Sequence, residues 1–297
     1  MTQIISEPAN GLVQAEWLSR NLHRSDVVIL DCATNIVADE HGTEHVMPEL
    51  EAFLKEHIPG AQFLDLQDRL SDPKSPYNFM LPDAASFEDA LRGFGIRNDS
   101  TVVVYSSGNS WWATRIWWMF RQFGLDNAFV LDGGLKYWKQ QDFSLEAGEP
   151  AARPAGDISV CTPRDLAIDG DTLLGRLGEP GLALVNALPP AKFRGTSSVH
   201  GGRPGHIPGS VNVPAASLTD PDTGRFLAAD TLAAILGEKQ LLDSGRQVVA
   251  YCGGGISASQ VVFVLARLGQ DNVKLYDASL SEWAHRDGFP LHTSTQD

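Results

Sequence analysis

The sequence predicts an α/β protein made of two tandem domains, each a mainly parallel sheet with helices on both faces. Two observations support this prediction. Short β-branched runs alternate with helical apolar patterns, which is typical of parallel sheets covered by helices. In addition, motifs of the first half recur in the second half at an offset of 145 to 149 residues. A chain of 297 residues is long enough for two domains of about 150 residues each.

Four motifs define the repeat. The turn His57-Ile58-Pro59-Gly60 recurs as His206-Ile207-Pro208-Gly209, and the apolar strand Thr101–Tyr105 recurs as Gln247–Tyr251. A helix end and a turn complete the set: Phe120–Gly124 recurs as Leu265–Gly269, and Val130–Gly134 as Leu275–Ser279. Because all four motifs occur in the same order, we interpret the halves as two copies of one fold.

Two further apolar runs, Val27–Asp31 and Leu182–Val185, are predicted as buried strands near the start of each copy. Between the copies lies a segment rich in proline and glycine, which is typical of a linker. We therefore expect a first domain over residues 1–145, a linker over 146–163 and a second domain over 164–297.

The most informative segment lies in the second copy. Its apolar strand leads to Cys252, three glycines follow at 253–255, and a helix-like apolar pattern then runs through Leu268. Three consecutive glycines are costly to order, so a simple turn does not account for them. Inward-pointing amides and a helix N-terminus stabilise an anion such as a thiolate. We therefore predict that Cys252 is a nucleophile in an anion-binding loop.

The first copy has Ser106 at the position of Cys252. A serine without an adjacent base is a much weaker nucleophile than a cysteine, so we expect the first domain to be catalytically silent and to form one wall of the cleft. Trp111 and Trp112 follow closely. The sequence leaves open whether they line the cleft or pack in the core, and whether their loop closes over the site.

Composition restricts the function classes. The net charge of −14 argues against nucleic acid and against an anionic membrane surface as partners. Three cysteines do not form a disulfide framework and indicate a reducing compartment. The first residues lack a signal-peptide pattern, so we expect a cytoplasmic protein. No metal or cofactor motif is present, and we expect none to be bound.

Taken in order, the two HIPG turns, Ile116–Arg121, Leu131–Leu135 and the cysteine–glycine loop resemble the two-domain rhodanese family over roughly residues 12–291. This family contains thiosulfate and 3-mercaptopyruvate sulfurtransferases. The resemblance implies a rhodanese-like fold for each domain. It also implies that Cys252 takes a sulfane sulfur from a small anionic donor, holds it as a persulfide and passes it to cyanide or a thiol.

The loop also bears on the donor. Within the family, basic loops accompany thiosulfate, whereas uncharged loops accompany 3-mercaptopyruvate, which we therefore expect to be slightly preferred. The chain departs from the family pattern at Gly254, where a hydroxyl is usual, and at Asn186–Leu188, where Asp-x-Arg is usual. It also has Phe79 where the mercaptopyruvate enzymes of the family carry a histidine. The predicted substrate-binding residues are the loop and three nearby cations: Gly253, Gly254, Gly255, Ile256, Ser257, Lys192, Arg194 and Arg203.

Sulfur transfer has two alternatives. A sulfur-binding protein without turnover remains open because of the departures from the family pattern. A phosphatase or arsenate reductase needs an arginine six residues after the cysteine, and Ala258 stands there. We interpret His57 and His206 as structural, since both copies contain them. We expect Cys32 to pack in the hydrophobic core and Cys161 to have no function.

Overall fold

The computed structural model describes residues 7–38 and 44–294. The first-half elements are β1 Leu12–Val13, α1 Ala15–Asn21, β2 Val27–Asp31, β3 Thr34–Ala38, β4 Glu44–Pro48, α2 Leu50–Lys55, β5 Ala61–Phe63, α3 Leu66–Arg69, α4 Ala84–Gly93, β6 Thr101–Tyr105, α5 Trp111–Gln122, β7 Ala128–Leu131 and α6 Gly134–Gln140. The second-half elements are β8 Ala167–Ile168, α7 Gly170–Gly175, β9 Leu182–Asn186, α8 Pro190–Arg194, β10 Ser210–Asn212, a 3-10 turn Ala215–Leu218, α9 Ala229–Glu238, β11 Gln247–Tyr251, α10 Ile256–Arg267, β12 Val273–Tyr276 and α11 Ser279–Trp283.

Each half forms a five-stranded sheet in which all strand pairs are parallel. The order is β1-β7-β6-β2-β5 in the first sheet and β8-β12-β11-β9-β10 in the second, so equivalent strands occupy equivalent places. The predicted parallel α/β architecture and the predicted repeat are therefore confirmed. The antiparallel hairpin β3–β4 of the first half was not predicted.

Helices cover both faces of the first sheet, as alternation along its strands requires. On β2, Val28 belongs to the hydrophobic cluster that includes Phe120 of α5. Its neighbour Ile29 belongs to a second cluster, with Trp17 of α1 and Trp138 of α6. All five residues of β2 are buried, which explains why the strand is apolar up to its last residue, Asp31.

The two halves meet along α5 and α10, and one hydrophobic cluster extends across both halves. The hydroxyls of Thr114 and Ser259 lie 2.8 Å apart. These residues are at equivalent positions of the two copies, so the copies are related by a local two-fold axis at this contact. Nearby, the edge of the Trp117 ring packs on Phe263 with 4.8 Å between centroids.

A reciprocal pair of aspartates also joins the halves. Asp132 of the first half accepts a hydrogen bond from Nε of Arg225 in the second half. The equivalent Asp277 accepts one from Arg115 of α5 in the first half. The Arg115 side chain is fully buried, whereas 38% of the Arg225 side chain is exposed.

Residues 146–163 contain no helix or strand in the described structure and run along the first half. The amides of Gly156 and Ile158 donate to carbonyls of Arg92 and Ile96, and Ile158 is fully buried. The segment expected as a linker is therefore attached to the first half rather than loose. Among the described residues, no helix is long and apolar enough to cross a bilayer.

A buried carboxyl at the end of β2 leads to a stability prediction. Asp31 is 1% exposed, and burial raises its pKa to about 7. Asn186 holds the equivalent position on β9, and the Oδ1 atoms of both residues accept an amide two residues further on. Because the folded-state pKa lies above the unfolded value of about 3.9, the folded protein loses stability as pH rises from about 4 towards 7.

We expect Asp31→Asn to remove this loss. Its advantage over wild type in free energy of unfolding should grow by about 1.4 kcal/mol per pH unit between pH 5 and 7, and then level off. Denaturant unfolding of both proteins from pH 5 to 8.5 measures this. Asp83→Asn is the control, because hydrogen bonds from Ser86 lower the pKa of that exposed carboxyl. An Asp31→Asn advantage independent of pH would contradict the prediction.

Candidate active site

Cys252 follows the last residue of β11 and lies at the carboxyl edge of the second sheet. Both neighbours of β11, β9 and β12, are parallel to it, so this edge is where an α/β sheet binds ligands. Gly255 adopts φ +75° at the N-cap of α10, and a Cβ there would lie 2.6 Å from the Asp277 carbonyl oxygen. Only glycine fits this position. The amides of the first turn of α10 have no acceptor within the helix.

The Cys252 loop is held from below by Ser279, a residue that the sequence analysis did not select. The Ser279 Oγ accepts hydrogen bonds from the amides of Cys252 at 3.0 Å and Gly255 at 3.2 Å, and donates to the Tyr276 carbonyl. We expected the amides of the loop to point inward at the Cys252 sulfur. For the Cys252 and Gly255 amides this expectation is wrong, because both donate to Ser279. Ser279 is fully buried with φ +51°, the conformation that Gly134 has at the equivalent position. Because Gly134 stands at the equivalent position of the first copy, the sequence did indicate a positive φ at Ser279.

A cleft of about 980 Å³ opens above the loop between the two halves. Cys252, Gly253, Gly254, Ile256 and Ser257 line it, whereas Gly255 does not line it and acts in the turn. The Cys252 residue is only 2% exposed, so its sulfur is reached through the cleft and not from open surface. The cysteine and the predicted loop are therefore brought together with a space for a ligand.

Of the three predicted cations, Lys192 lines the cleft. It lies in α8 and is half-buried. Arg194 is the last residue of α8 and does not line the described part of the cleft. Both residues lie in α8, but they are two positions apart, which is about half a helical turn, so their side chains leave the helix in different directions.

Arg203 is not brought to the site. Its guanidinium donates to the backbone carbonyls of Trp283, Ala284, Arg286 and Phe289, at and just beyond the end of α11. Carbonyls near a helix end lack some of their intrahelical donors, and one arginine can donate to several of them at once. The expectation that Arg203 faces the donor is therefore not supported by its position; it ties two loops together.

Two further residues that line the cleft, His200 and His285, were not predicted from the sequence. The Nε2 of His200 lies 2.9 Å from where a Cβ on Gly253 would stand, so the imidazole rests against the cysteine loop. His200 also has φ +50°, which is uncommon for a residue with a side chain. Neither histidine belongs to a repeated motif, so the sequence offered no signal for them.

The first half forms the opposite wall, as expected, and Trp111 and Trp112 both line the cleft. Trp112 packs edge-on against Phe79, with ring centroids 5.3 Å apart. Phe79 is buried at φ +66°, a strained conformation for a bulky residue. Arg115 donates a hydrogen bond to the Phe79 carbonyl, and the Phe79 amide donates one to Gln67 Oε1. Hydrogen bonds at both the amide and the carbonyl therefore maintain the strained conformation of Phe79.

The residues interpreted as structural have structural contacts. The Nδ1 of His57 pairs with the Phe53 carbonyl and its ring stacks on Phe53, and His206 does the same with Phe193. Cys32 is fully buried, and burial raises the pKa of its thiol well above the ordinary value.

Comparison with known proteins agrees with this geometry. A family model described as rhodanese-like domain matches residues 14–141 and 169–286. The 3-mercaptopyruvate sulfurtransferase of Escherichia coli strain K12 is 34% identical over 283 residues, covering 94% of this chain and 96% of that protein. The thiosulfate sulfurtransferase of Gallus gallus is 30% identical over 278 residues, covering 93% and 94%.

Solved structures show the same fold. The 3-mercaptopyruvate sulfotransferase SseA from Escherichia coli is similar with a TM-score of 0.79 and 32% identity, covering 92% of this chain and 99% of that one. Tum1 from Saccharomyces cerevisiae has a TM-score of 0.81 at 23% identity, which shows the fold alone.

Proposed function

The chain belongs to the rhodanese-like domain family, and from that premise we propose that Cys252 carries the sulfur as a persulfide. The chain is a sulfurtransferase, like its relatives that act as 3-mercaptopyruvate and thiosulfate sulfurtransferases. One observation supports the assignment to Cys252. Among the described residues, it is the one cysteine that lines the cleft, and it does so at a strand end followed by a helix N-terminus.

The proposed reaction has two half-reactions. The Cys252 thiolate attacks the sulfane sulfur of thiosulfate and forms Cys–S–S⁻, with sulfite leaving. With 3-mercaptopyruvate, the carbon–sulfur bond breaks instead, the thiol proton ends on carbon, and pyruvate leaves. In the second half-reaction, cyanide or a thiolate attacks the outer sulfur and regenerates the Cys252 thiolate. The N-terminus of α10 stabilises the anionic sulfur in both resting forms.

The first half is catalytically silent in this proposal. Ser106 Oγ accepts a hydrogen bond from the Gly108 amide, and Ser106 does not line the described cleft. Its loop supplies the wall instead. At the position where a phosphatase would carry its arginine clamp, Ala258 is fully buried in α10, which supports sulfur transfer over phosphoryl transfer.

Donor binding follows from charge. Lys192 is the one Lys, Arg, Asp or Glu among the described residues that line the cleft. We propose that it pairs with the carboxylate of 3-mercaptopyruvate or with thiosulfate. A single cation suits the monoanionic carboxylate better than a dianion, which supports the slight preference for 3-mercaptopyruvate.

Steady-state transfer to cyanide tests this, with both donors measured side by side. Wild type should give the higher kcat/KM with 3-mercaptopyruvate. Lys192→Met should raise KM roughly tenfold for both donors, because a charge-assisted contact is lost, with a smaller change in kcat. Lys139→Met is the matched control, since Lys139 pairs with Glu56 away from the cleft. An unchanged KM in Lys192→Met would show that Lys192 does not bind the donor. A higher kcat/KM of wild type with thiosulfate would overturn the donor assignment.

A further inference from the structure

Sulfur transfer from 3-mercaptopyruvate needs a proton carrier that transfer from thiosulfate does not need. The thiol of 3-mercaptopyruvate brings a proton, and the product pyruvate carries a proton on the carbon that the sulfur has left. Thiosulfate leaves as sulfite, and no proton changes place. A side chain that takes a proton from sulfur and returns it to carbon therefore serves one donor only.

Few side chains of the cleft can carry this proton. The described residues that line it include no Asp or Glu, and the titratable ones are Cys252, Lys192, Tyr77, His200 and His285. Cys252 is the proposed nucleophile, Lys192 is proposed to bind the donor, and Tyr77 lies on the opposite wall. Histidine is the side chain that exchanges a proton near neutral pH. The two imidazoles are therefore the candidates.

Of these two imidazoles, that of His200 lies against the loop of the nucleophile. Its Nε2 is 2.9 Å from where a Cβ on Gly253 would stand, and Gly253 directly follows Cys252. The Nε2 of His285 lies 2.9 Å from the corresponding point on Gly202, which is outside the loop. His200 is therefore the imidazole that flanks the Cys252 loop.

The backbone holds His200 in an uncommon conformation, with φ +50°. The preceding residue, Val199, is 3% exposed, and its Cγ1 lies 3.2 Å from the same Cβ position on Gly253. Its carbonyl accepts the Gly202 amide at 2.9 Å, which closes the turn that contains His200. Residues fixed in sparsely populated conformations cluster at functional sites. His200 itself is exposed, so burial does not oppose a positive charge on its imidazole.

We propose that His200 is the general base and then the general acid of the half-reaction with 3-mercaptopyruvate. The inference rests on the proposed role of Cys252 and adds the side chain that moves the proton. The neutral imidazole takes the thiol proton of the donor as the Cys252 thiolate attacks the donor sulfur and the carbon–sulfur bond breaks.

The pair of electrons from that bond goes to the carbon, and the imidazolium returns the proton there. The carbon is thus reduced as the sulfur–sulfur bond forms, and pyruvate leaves. The products are Cys–S–S⁻, pyruvate and the neutral imidazole of His200, so atoms and charge balance without a further reactant.

Single-turnover loading of Cys252 tests the inference, because release of pyruvate or of sulfite reports the donor half-reaction alone. His200→Asn is the first variant. Asparagine adopts a positive φ more readily than most residues, and its amide takes up no proton at neutral pH. The maximal loading rate with 3-mercaptopyruvate should fall about 10²-fold, and that with thiosulfate by less than about threefold. The donor concentration for half-maximal rate should change little.

His200→Gly gives a second readout, because glycine also adopts a positive φ freely. Imidazole added to the solution should raise its loading rate with 3-mercaptopyruvate severalfold and leave the rate with thiosulfate unchanged. A purely structural role of His200 would not give a rescue that depends on the donor.

His285→Asn is the matched control, and its ratio of the two loading rates should equal that of wild type. A donor-specific loss in His285→Asn and not in His200→Asn would overturn the inference and assign the proton to His285. Equal losses with both donors in His200→Asn, or no loss, would also overturn it and leave Cys252 as the sulfur carrier. Loading of wild type by thiosulfate alone would do the same. Failure of both donors to load Cys252 would instead remove the proposed function.

Discussion

Replacing Cys252 with serine is expected to lower kcat/KM for sulfur transfer by roughly 10³-fold or more with every donor. A serine hydroxyl is a weak nucleophile, and it cannot form the S–S bond that holds the transferred sulfur. The change is nearly isosteric at a residue that is 2% exposed, so the fold should persist. Steady-state rates and the intact mass after incubation with donor measure the effect.

Wild type should gain the mass of one sulfur atom per chain, and cyanide should remove it. Cys252→Ser should gain none. Cys161→Ser is the matched control, because Cys161 is exposed and lies away from the cleft, and it should load like wild type. A cyanide-removable sulfur that remains in Cys252→Ser and disappears in Cys161→Ser would show that the carrier is another cysteine.

Replacing Arg115 with methionine is expected to be the most destabilising of the changes considered. The Arg115 side chain is fully buried, pairs with Asp277, donates to the Phe79 carbonyl and stacks over the Trp118 ring at 4.7 Å. Methionine keeps much of the volume but leaves the Asp277 carboxylate, 15% exposed, without its cation. Breaking a buried ion pair in this way costs about 3–5 kcal/mol.

Thermal unfolding measures this loss, and we expect the melting temperature to fall by roughly 5–10 °C. Arg225→Met is the matched control, because Arg225 makes the equivalent contact with Asp132 but is 38% exposed. Solvent screening should limit its cost to about 1 kcal/mol. Equal losses in the two variants would show that burial of the guanidinium is not what makes the Arg115 contact important.

The fold could be predicted from the sequence because its strands are apolar runs that recur in both halves. The runs Val27–Asp31, Thr101–Tyr105 and Gln247–Tyr251 are strands with these bounds, and the helix after the glycines ends one residue before the predicted Leu268. Buried parallel strands are apolar throughout, so they are recognisable without knowledge of their neighbours.

The site was less predictable because it depends on side-chain direction across the chain. Arg203 is close in sequence to the cleft, yet its guanidinium binds carbonyls of the α11 end. Ser279 and His200 support or flank the Cys252 loop from separate segments. In the sequence, Phe79 is recognisable only as a departure from a family pattern, because the residues that fix its backbone, Arg115 and Gln67, lie on other elements.

The contact between Thr114 and Ser259 has a consequence for how the two halves could diverge. Equivalent residues touch each other in this way in a homodimer, where any substitution appears in both subunits at once. Joining the copies in one polypeptide removes that constraint. One copy could lose its nucleophile, with Ser106 in its place, and acquire aromatic residues that face the other copy. In a single chain the two halves can therefore change independently, so that substitutions on the first-half wall of the cleft leave the loop around Cys252 unaltered.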